Sequence, residues 1–235
     1  MNKKLIIICT IMAVILTLSN GCGSSSGTGR YSVPSEIVGP GGGGSSGSGG
    51  SSGSGGGSIV ETDIDSLIAS AWEDFRYAAY SSAISKFNEA LLSANITDAQ
   101  KASAYNGLGW SLLKSSGAES AYSAFTQASS LNDEAKIGLA AALMQRGTRQ
   151  ACQQAVTLLE TLGLKETSTV FTAIHPIGVT NAGAHAMLAW CYFIIGNEDG
   201  ARTQIIFAKA ADGTADSPVN QIYNSLIAMG LTFDS

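Results

Sequence analysis

The sequence has few charged side chains and no cluster of basic ones. Only 13% of its 235 residues are charged, and 18 acidic residues outnumber 13 basic ones. Proteins that bind nucleic acid obtain much of their affinity from Lys and Arg contacts to phosphates. The composition therefore argues against a nucleic-acid partner. It also argues against electrostatic attachment to anionic lipid, which needs a basic patch as well.

Histidine and closely spaced cysteines are scarce too. The chain has two histidines and four cysteines, and no CxxC pair. Nucleophilic catalysis needs a nucleophile, a base and an orienting group within reach of each other, and neither His175 nor His185 has such neighbours in the sequence. Their spacing to Cys191 matches no zinc site. The sequence therefore predicts no enzyme activity, no metal site and no cofactor.

The N-terminus has the pattern of a secretory signal peptide. Lys3 and Lys4 precede an apolar run from Leu5 to Leu18. A helix needs about 20 residues to cross the roughly 30 Å hydrocarbon core of a bilayer, and this run is shorter. A positive start, a short apolar core and small residues after it predict a signal peptide over residues 1–21. The alternative is an N-terminal anchor helix that is not cleaved.

The first residue after this segment is Cys22. The segment resembles a bacterial lipoprotein signal, in which small residues such as Gly21 precede a cysteine that becomes the new N-terminus. It departs from that pattern at Ser19, where the family has Leu, Val or Ile. The resemblance implies a diacylglyceryl group on the Cys22 sulfur and an acylated amine, which together anchor durably. It places the protein in the bacterial cell envelope, lipid-anchored to a membrane. Gly23 favours the outer membrane where the cell has two.

Residues 22–58 consist almost entirely of Gly and Ser. A short island at residues 30–40 interrupts them. Such a segment cannot bury enough apolar surface to offset the entropy of ordering it, which predicts a disordered tether. As a flexible coil it would reach roughly 30–36 Å. The glycine run has no GK[ST] ending, so it does not predict a phosphate-binding loop.

Residues 59–235 have a different composition, with apolar residues recurring at helical spacing and almost no strand pattern. This length is sufficient for one domain with a core. An extended stretch at residues 164–183 interrupts the helical pattern. Its apolar residues predict a segment that lies on the helices, either for function or simply as a packed insertion.

A pattern of small and bulky residues recurs within this domain. An alanine is followed four residues later by a bulky apolar residue and three residues after that by another alanine. The three copies are Ala83/Phe87/Ala90, Ala121/Phe125/Ala128 and Ala201/Ile205/Ala208. A weaker copy retains Ala155 and Leu159. Each copy follows another helical stretch.

These repeats resemble the tetratricopeptide repeat (TPR) family, over about 150 residues in four copies. The resemblance implies an all-α, right-handed superhelical array of helix–turn–helix units. A closing helix near Pro218 would cover the apolar face of the last repeat.

A tryptophan occupies the same place in three of the repeats. In the remaining repeat this place falls near Ala141. The resemblance implies that the position lines a concave groove where partner peptides bind. The predicted groove residues are Trp72, Phe75, Arg76, Asn106, Trp110, Lys114, Trp190 and Phe193. The alternative is that the tryptophans pack between neighbouring repeats as core.

Cys152 and Cys191 fall on helices that the repeat order makes neighbours. A disulfide is permitted if the domain lies in an oxidising compartment. Two buried free thiols are the alternative.

The sequence as a whole predicts a lipid-anchored envelope protein that binds another envelope protein or peptide, as a scaffold or assembly factor. A self-associating surface component and an accessory to an envelope enzyme are the alternatives. The oligomeric state stays open.

Overall fold

The computed structural model describes residues 63–233. The predicted signal peptide, Cys22 and the tether lie outside the described residues. Within them the chain forms nine α-helices and no strand. The helices are α1 (Ile64–Arg76), α2 (Tyr80–Leu91), α3 (Asp98–Ser116), α4 (Ala118–Ala128), α5 (Asp133–Arg146), α6 (Arg149–Thr161), α7 (Asn181–Ile195), α8 (Glu198–Ala211) and α9 (Pro218–Met229). The prediction of an all-α domain is confirmed for these residues.

Eight of the helices form four hairpins, α1/α2, α3/α4, α5/α6 and α7/α8. The first helices of successive hairpins also pack against each other, and they form a continuous row of α1, α3, α5 and α7. The second helices pack together much less. We call the side of this row that is turned away from the second helices the inner face. The ninth helix, α9, packs on α7 and α8 and closes the array, as the sequence predicts for a helix that begins at Pro218.

Side-chain caps fix where most of the helices begin. Thr97 and Gln100 form a reciprocal capping box at the start of α3. A capping side chain satisfies a backbone N–H that has no partner inside the helix. The same role is filled at other helix starts by Asp63, Asn132, Thr148, Thr180, Asn197 and Ser217.

The recurring Ala/bulky/Ala positions lie at the centre of the core. All nine side chains of the three clear copies are fully buried. Close helix approach also depends on glycine: a Cβ on Gly107 would lie 2.0 Å from the Phe87 ring, and one on Gly138 would lie 2.3 Å from the Phe125 ring. A side chain larger than hydrogen cannot fit at these two positions unless the aromatic ring moves.

The third hairpin continues the pattern in a slightly different register. Cys152, Val156 and Leu159 are buried at the same spacing as the other copies. The step along the chain from Ala121 to Cys152 equals the step from Gly107 to Gly138. The copy in this hairpin therefore starts at Cys152, although the sequence pattern alone favours Ala155.

Candidate functional site

The segment between α6 and α7, residues 162–180, contains no helix and crosses the inner face. We call it the strap. It buries Leu164, Phe171 and Ile177, whereas Val170 and Ile174 are 69% and 86% exposed. The sequence predicts that this segment lies on the helices, and the structure places only part of its apolar side chains there.

A single buried carboxylate holds the middle of the strap. Glu134, in the first turn of α5, is only 3% exposed. Its Oε1 accepts the backbone N–H groups of Ile174 and His175 at 2.6 and 2.7 Å. Its Oε2 accepts from His175 Nδ1 at 2.7 Å and from Asn106 Nδ2 at 2.8 Å. The carboxylate is therefore saturated by four donors, which compensates for its removal from water.

These contacts set the charge state of Glu134. Burial alone would raise its pKa, because it disfavours the ionised carboxylate. The hydrogen bonds from the side chain and backbone of His175 and from Asn106 favour that form. Their effect prevails, so the pKa of Glu134 lies below its ordinary value.

An aromatic stack joins the strap to the first hairpin. The imidazole of His175 lies on the indole of Trp72, with ring centroids 3.7 Å apart and planes 9° apart. Trp72 in turn meets Phe75 and Phe87 edge to face at 5.3 and 5.4 Å. The strap therefore reaches from α7 to α1, across the full row of first helices.

A second pair of buried polar residues holds the beginning of the strap. His185 Nε2 donates to the carbonyl of Thr169 at 3.1 Å, and Gln204 Nε2 donates to the carbonyl of Lys165 at 2.7 Å. His185 Nδ1 lies 2.6 Å from Gln204 Oε1. Both histidines of the chain are thus in contact with the strap or belong to it.

The strap changes the surroundings of the predicted groove residues. Trp72, Phe75, Asn106, Trp110 and Trp190 are all buried. The remaining three lie nearer the surface: Lys114 and Phe193 are half-buried, and Arg76 is exposed and pairs with Glu73 at 3.0 Å.

The eight residues therefore do not form one open groove. Trp72 and Asn106 meet beneath the strap, whereas Trp110 and Lys114 line a cavity further along. Their role in peptide binding stays a prediction.

That cavity has a volume of about 90 Å³. It lies between helices α3, α5, α7 and α9 and the end of the strap. It is lined by Trp110, Leu113, Lys114, Ala141, Met144, Ile177, Gly178, Val179, Thr180, Gly183, Met187, Asp212, Pro218, Val219 and Ile222. Burial lowers the pKa of Lys114 to about 8. The wall is otherwise mostly apolar.

The two cysteines of the domain meet inside the core. Cys152 and Cys191 are fully buried free thiols, and they are hydrogen-bonding partners. The hydrogen bond with Cys152, together with burial, raises the pKa of the Cys191 thiol well above its ordinary value. Their pairing as a disulfide stays a prediction.

Residues 63–233 hold no group of three or more His, Cys, Asp or Glu side chains placed to bind a metal ion. None of the helices in this part of the chain combines the length and the apolar character needed to cross a membrane.

Among solved structures, the chain is similar to a thermophilic TPR protein from Thermus thermophilus, with 15% sequence identity. The match covers 72% of this chain and 84% of that one, with a TM-score of 0.49. No protein-family model matches the chain, and no curated protein matches it.

Sequence reasoning missed Glu134, the carboxylate that holds the strap. The only signal was an acidic residue in a predicted first turn, which is common because carboxylates favour helix N-termini. Nothing in the local sequence distinguishes it from Asp133, which is exposed beside it.

Proposed function

We propose that the chain is a lipid-anchored protein of the bacterial cell envelope, whose helical repeats hold a protein or peptide partner as a scaffold or assembly factor. One observation carries the binding part of this proposal: the inner face already holds a non-helical stretch of polypeptide, the strap. It does so through side chains that bond to the strap's main chain, as Glu134 does to Ile174 and His175. Main-chain hydrogen bonds are a common source of affinity for extended segments of other proteins.

The strap also presents apolar side chains outwards. Val170 and Ile174 are among the exposed large apolar residues. Hydrogen bonds with side chains of the helices hold the backbone of the segment that carries them. A fixed backbone loses little conformational entropy when a partner covers it. We therefore place the partner on the strap and the adjoining inner face.

The anchor and tether give this domain a defined reach. Lipid on Cys22 would hold the chain at the membrane, and the Gly/Ser segment would let the domain explore a shell several nanometres deep. Confinement of that kind raises the local concentration of the domain around a partner in the same envelope. The outer membrane is the proposed site where the cell has two membranes.

The anchor is tested by metabolic labelling with a radioactive fatty acid. We expect the full chain to incorporate label and to fractionate with membranes, and the C22S variant to lose both properties. Label on the C22S variant would place the lipid elsewhere, and an unlabelled wild type would refute lipidation.

The partner surface is tested by photo-crosslinking in cells. A photoreactive residue replaces Ile174 in one variant and Leu92, which is 84% exposed on the connection after α2, in the control. We expect a discrete crosslinked band from position 174 alone. A band at the mass of two chains would favour the self-associating component instead. No band from position 174 would contradict the proposed surface.

A further inference from the structure

The cavity lies where one hairpin lacks the tryptophan of the other three. The step from Trp110 to Ala141 equals the step from Gly107 to Gly138, which sit equivalently against Phe87 and Phe125. Ala141 therefore occupies the repeat's tryptophan position in α5. It lines the cavity, and so does Trp110 of the preceding hairpin.

A second difference between the repeats places Met187 on the cavity wall. Met187 stands in α7 where the second and third hairpins have the close-packed glycine, and Val156 stands in α6 where the first two hairpins have Phe. The flexible Met side chain replaces part of the lost ring volume. It does not replace the missing indole, and a cavity of about 90 Å³ remains.

The wall of the cavity carries one polar donor with nothing to bond. Trp110 is only 2% exposed, and within residues 63–233 its Nε1 has no hydrogen-bond partner. The indole N–H groups of Trp72 and Trp190 also lack a partner there, but of the three tryptophans only Trp110 lines the cavity. Leaving a buried donor unsatisfied is unfavourable, so an acceptor that enters the cavity and reaches the Trp110 Nε1 would be favoured. Lys114 and Asp212 carry opposite charges on the same wall, so the cavity does not select an ion of one sign.

We propose that this cavity receives one aliphatic side chain of leucine or isoleucine size from the partner polypeptide. A main-chain carbonyl of the same segment accepts the hydrogen bond of the Trp110 indole. This inference rests on the proposed function, and it names the anchor by which the partner is recognised.

Size and surroundings favour this occupant. An apolar cavity of about 150 Å³ accommodates benzene, so one of about 90 Å³ suits a branched aliphatic side chain better than an aromatic ring. The strap supplies a precedent beside it, because Ile177 of this non-helical segment is buried and forms part of the wall. A few well-enclosed side chains commonly contribute most of the affinity of a protein interface.

The test uses the full chain with 13C-labelled methionine methyl groups, since Met144 and Met187 both line the cavity. The probes are N-acetyl-leucine N′-methylamide and its alanine and phenylalanine counterparts. We expect the leucine probe to shift both methyl signals saturably and to bind at least about tenfold tighter than the alanine probe. Equal or absent shifts with all three probes would overturn the proposal.

Two variants make the test specific. A141F fills the cavity and A99F places the same side chain on the exposed start of α3. We expect A141F to remain folded and to lose the leucine shift, and A99F to behave as wild type. W110F removes the indole N–H and keeps an aromatic ring, and we expect about tenfold weaker binding. Leucine binding unchanged in A141F would overturn the proposal.

The crosslinking experiment separates this inference from the proposed function. If the crosslinked partner band persists in A141F and the leucine probe causes no shift in the wild type, the proposed role of the cavity is refuted. The proposed function then still stands. A leucine shift without any partner band supports the cavity and counts against the scaffold function. A band and a shift that both disappear in A141F support both.

Discussion

The imidazole of His175 stacks on the indole of Trp72 with a centroid distance of 3.7 Å, although the two residues are far apart in the chain. The contact places the tip of the strap against the first hairpin. Because His175 also bonds Glu134, the strap is tied to three of the four first helices near this point: α1 through Trp72, and α5 and α3 through Glu134 and Asn106.

Replacing His175 by alanine should loosen the tip of the strap without unfolding the helices. The variant loses the stack on Trp72 and the side-chain bond to Glu134, and we expect a loss of about 1–3 kcal/mol in unfolding free energy. Hydrogen exchange should accelerate in residues 170–178 and change little in α4. The I174A variant is the control, because its side chain is 86% exposed and its backbone N–H is retained. Equal exchange in H175A and wild type would show that the His175 side chain does not hold the tip of the strap.

Glu134 should make stability depend on pH on the acid side. Its folded pKa lies below its ordinary value of 4.5, so its contribution is fully present above that pH. The contribution is lost as the pH falls through the folded pKa, because protonation removes acceptors from His175 and Asn106. E134Q should cost about 2–4 kcal/mol at pH 7, since its amide places donors against donors.

Urea unfolding of both chains between pH 7 and pH 3 measures this effect. The difference in unfolding free energy between wild type and E134Q should be constant above about pH 5. It should become smaller below about pH 4. D133N is the control, because Asp133 is exposed in the same turn and pairs with Lys136 on the surface. If this difference in unfolding free energy instead grows as the pH falls, Glu134 does not stabilise the fold in its ionised form.

Gly138→Ala should destabilise the domain, although glycine to alanine in a helix interior ordinarily stabilises by about 1 kcal/mol. The new Cβ would lie 2.3 Å from the Phe125 ring, so the ring or the helix must shift. We expect a loss of about 1–3 kcal/mol, measured by urea unfolding. Gly183→Ala is the control, because its Cβ would meet its nearest neighbour at an ordinary 3.4 Å. A stabilised G138A variant would show that α5 does not pack this closely.

The thiols of Cys152 and Cys191 should be inert towards iodoacetamide in the folded, reduced chain. Both are fully buried, and the raised pKa of Cys191 further disfavours its thiolate. The hydrogen bond with Cys191 lowers the pKa of Cys152, so burial alone protects that thiol. Both should react once the chain is unfolded in urea. Peptide mass analysis without reductant also shows whether the oxidised chain contains the bond between them. Rapid alkylation of Cys191 in the folded chain would contradict its placement in the core.

Several features could be predicted from the sequence because they depend on local spacing. The helical periodicity and the Ala83/Phe87/Ala90 type of pattern predict helices that pack closely, and the structure places these residues in the core. The path of the strap could not be predicted in this way. Ile174 and His175 are 40 and 41 residues from Glu134 in the chain, and they meet it only because the strap folds back onto α5.

The burial of the predicted groove residues could not be predicted from the sequence either. Helix alignment relates Trp72, Trp110 and Trp190 as equivalent positions, but burial depends on what covers them. The strap covers Trp72, and the aromatic ring of Phe125 meets Trp110 edge to face at 5.2 Å. Repeat alignment places Ala141 at the tryptophan position, but only the packing of the helices shows that the missing indole leaves a cavity there.

The most direct test of the inner face as a surface for extended polypeptide is to remove the strap and return it as a separate peptide. In this variant of the full chain, a Gly/Ser segment of equal length replaces residues 168–179, and circular dichroism checks that its helices are retained. A fluorescently labelled peptide of residues 168–180 is then titrated against it. We expect saturable binding that falls at least about tenfold when the peptide carries H175A or the host carries E134Q. A folded host that does not bind the peptide would contradict the claim that the inner face recognises extended polypeptide.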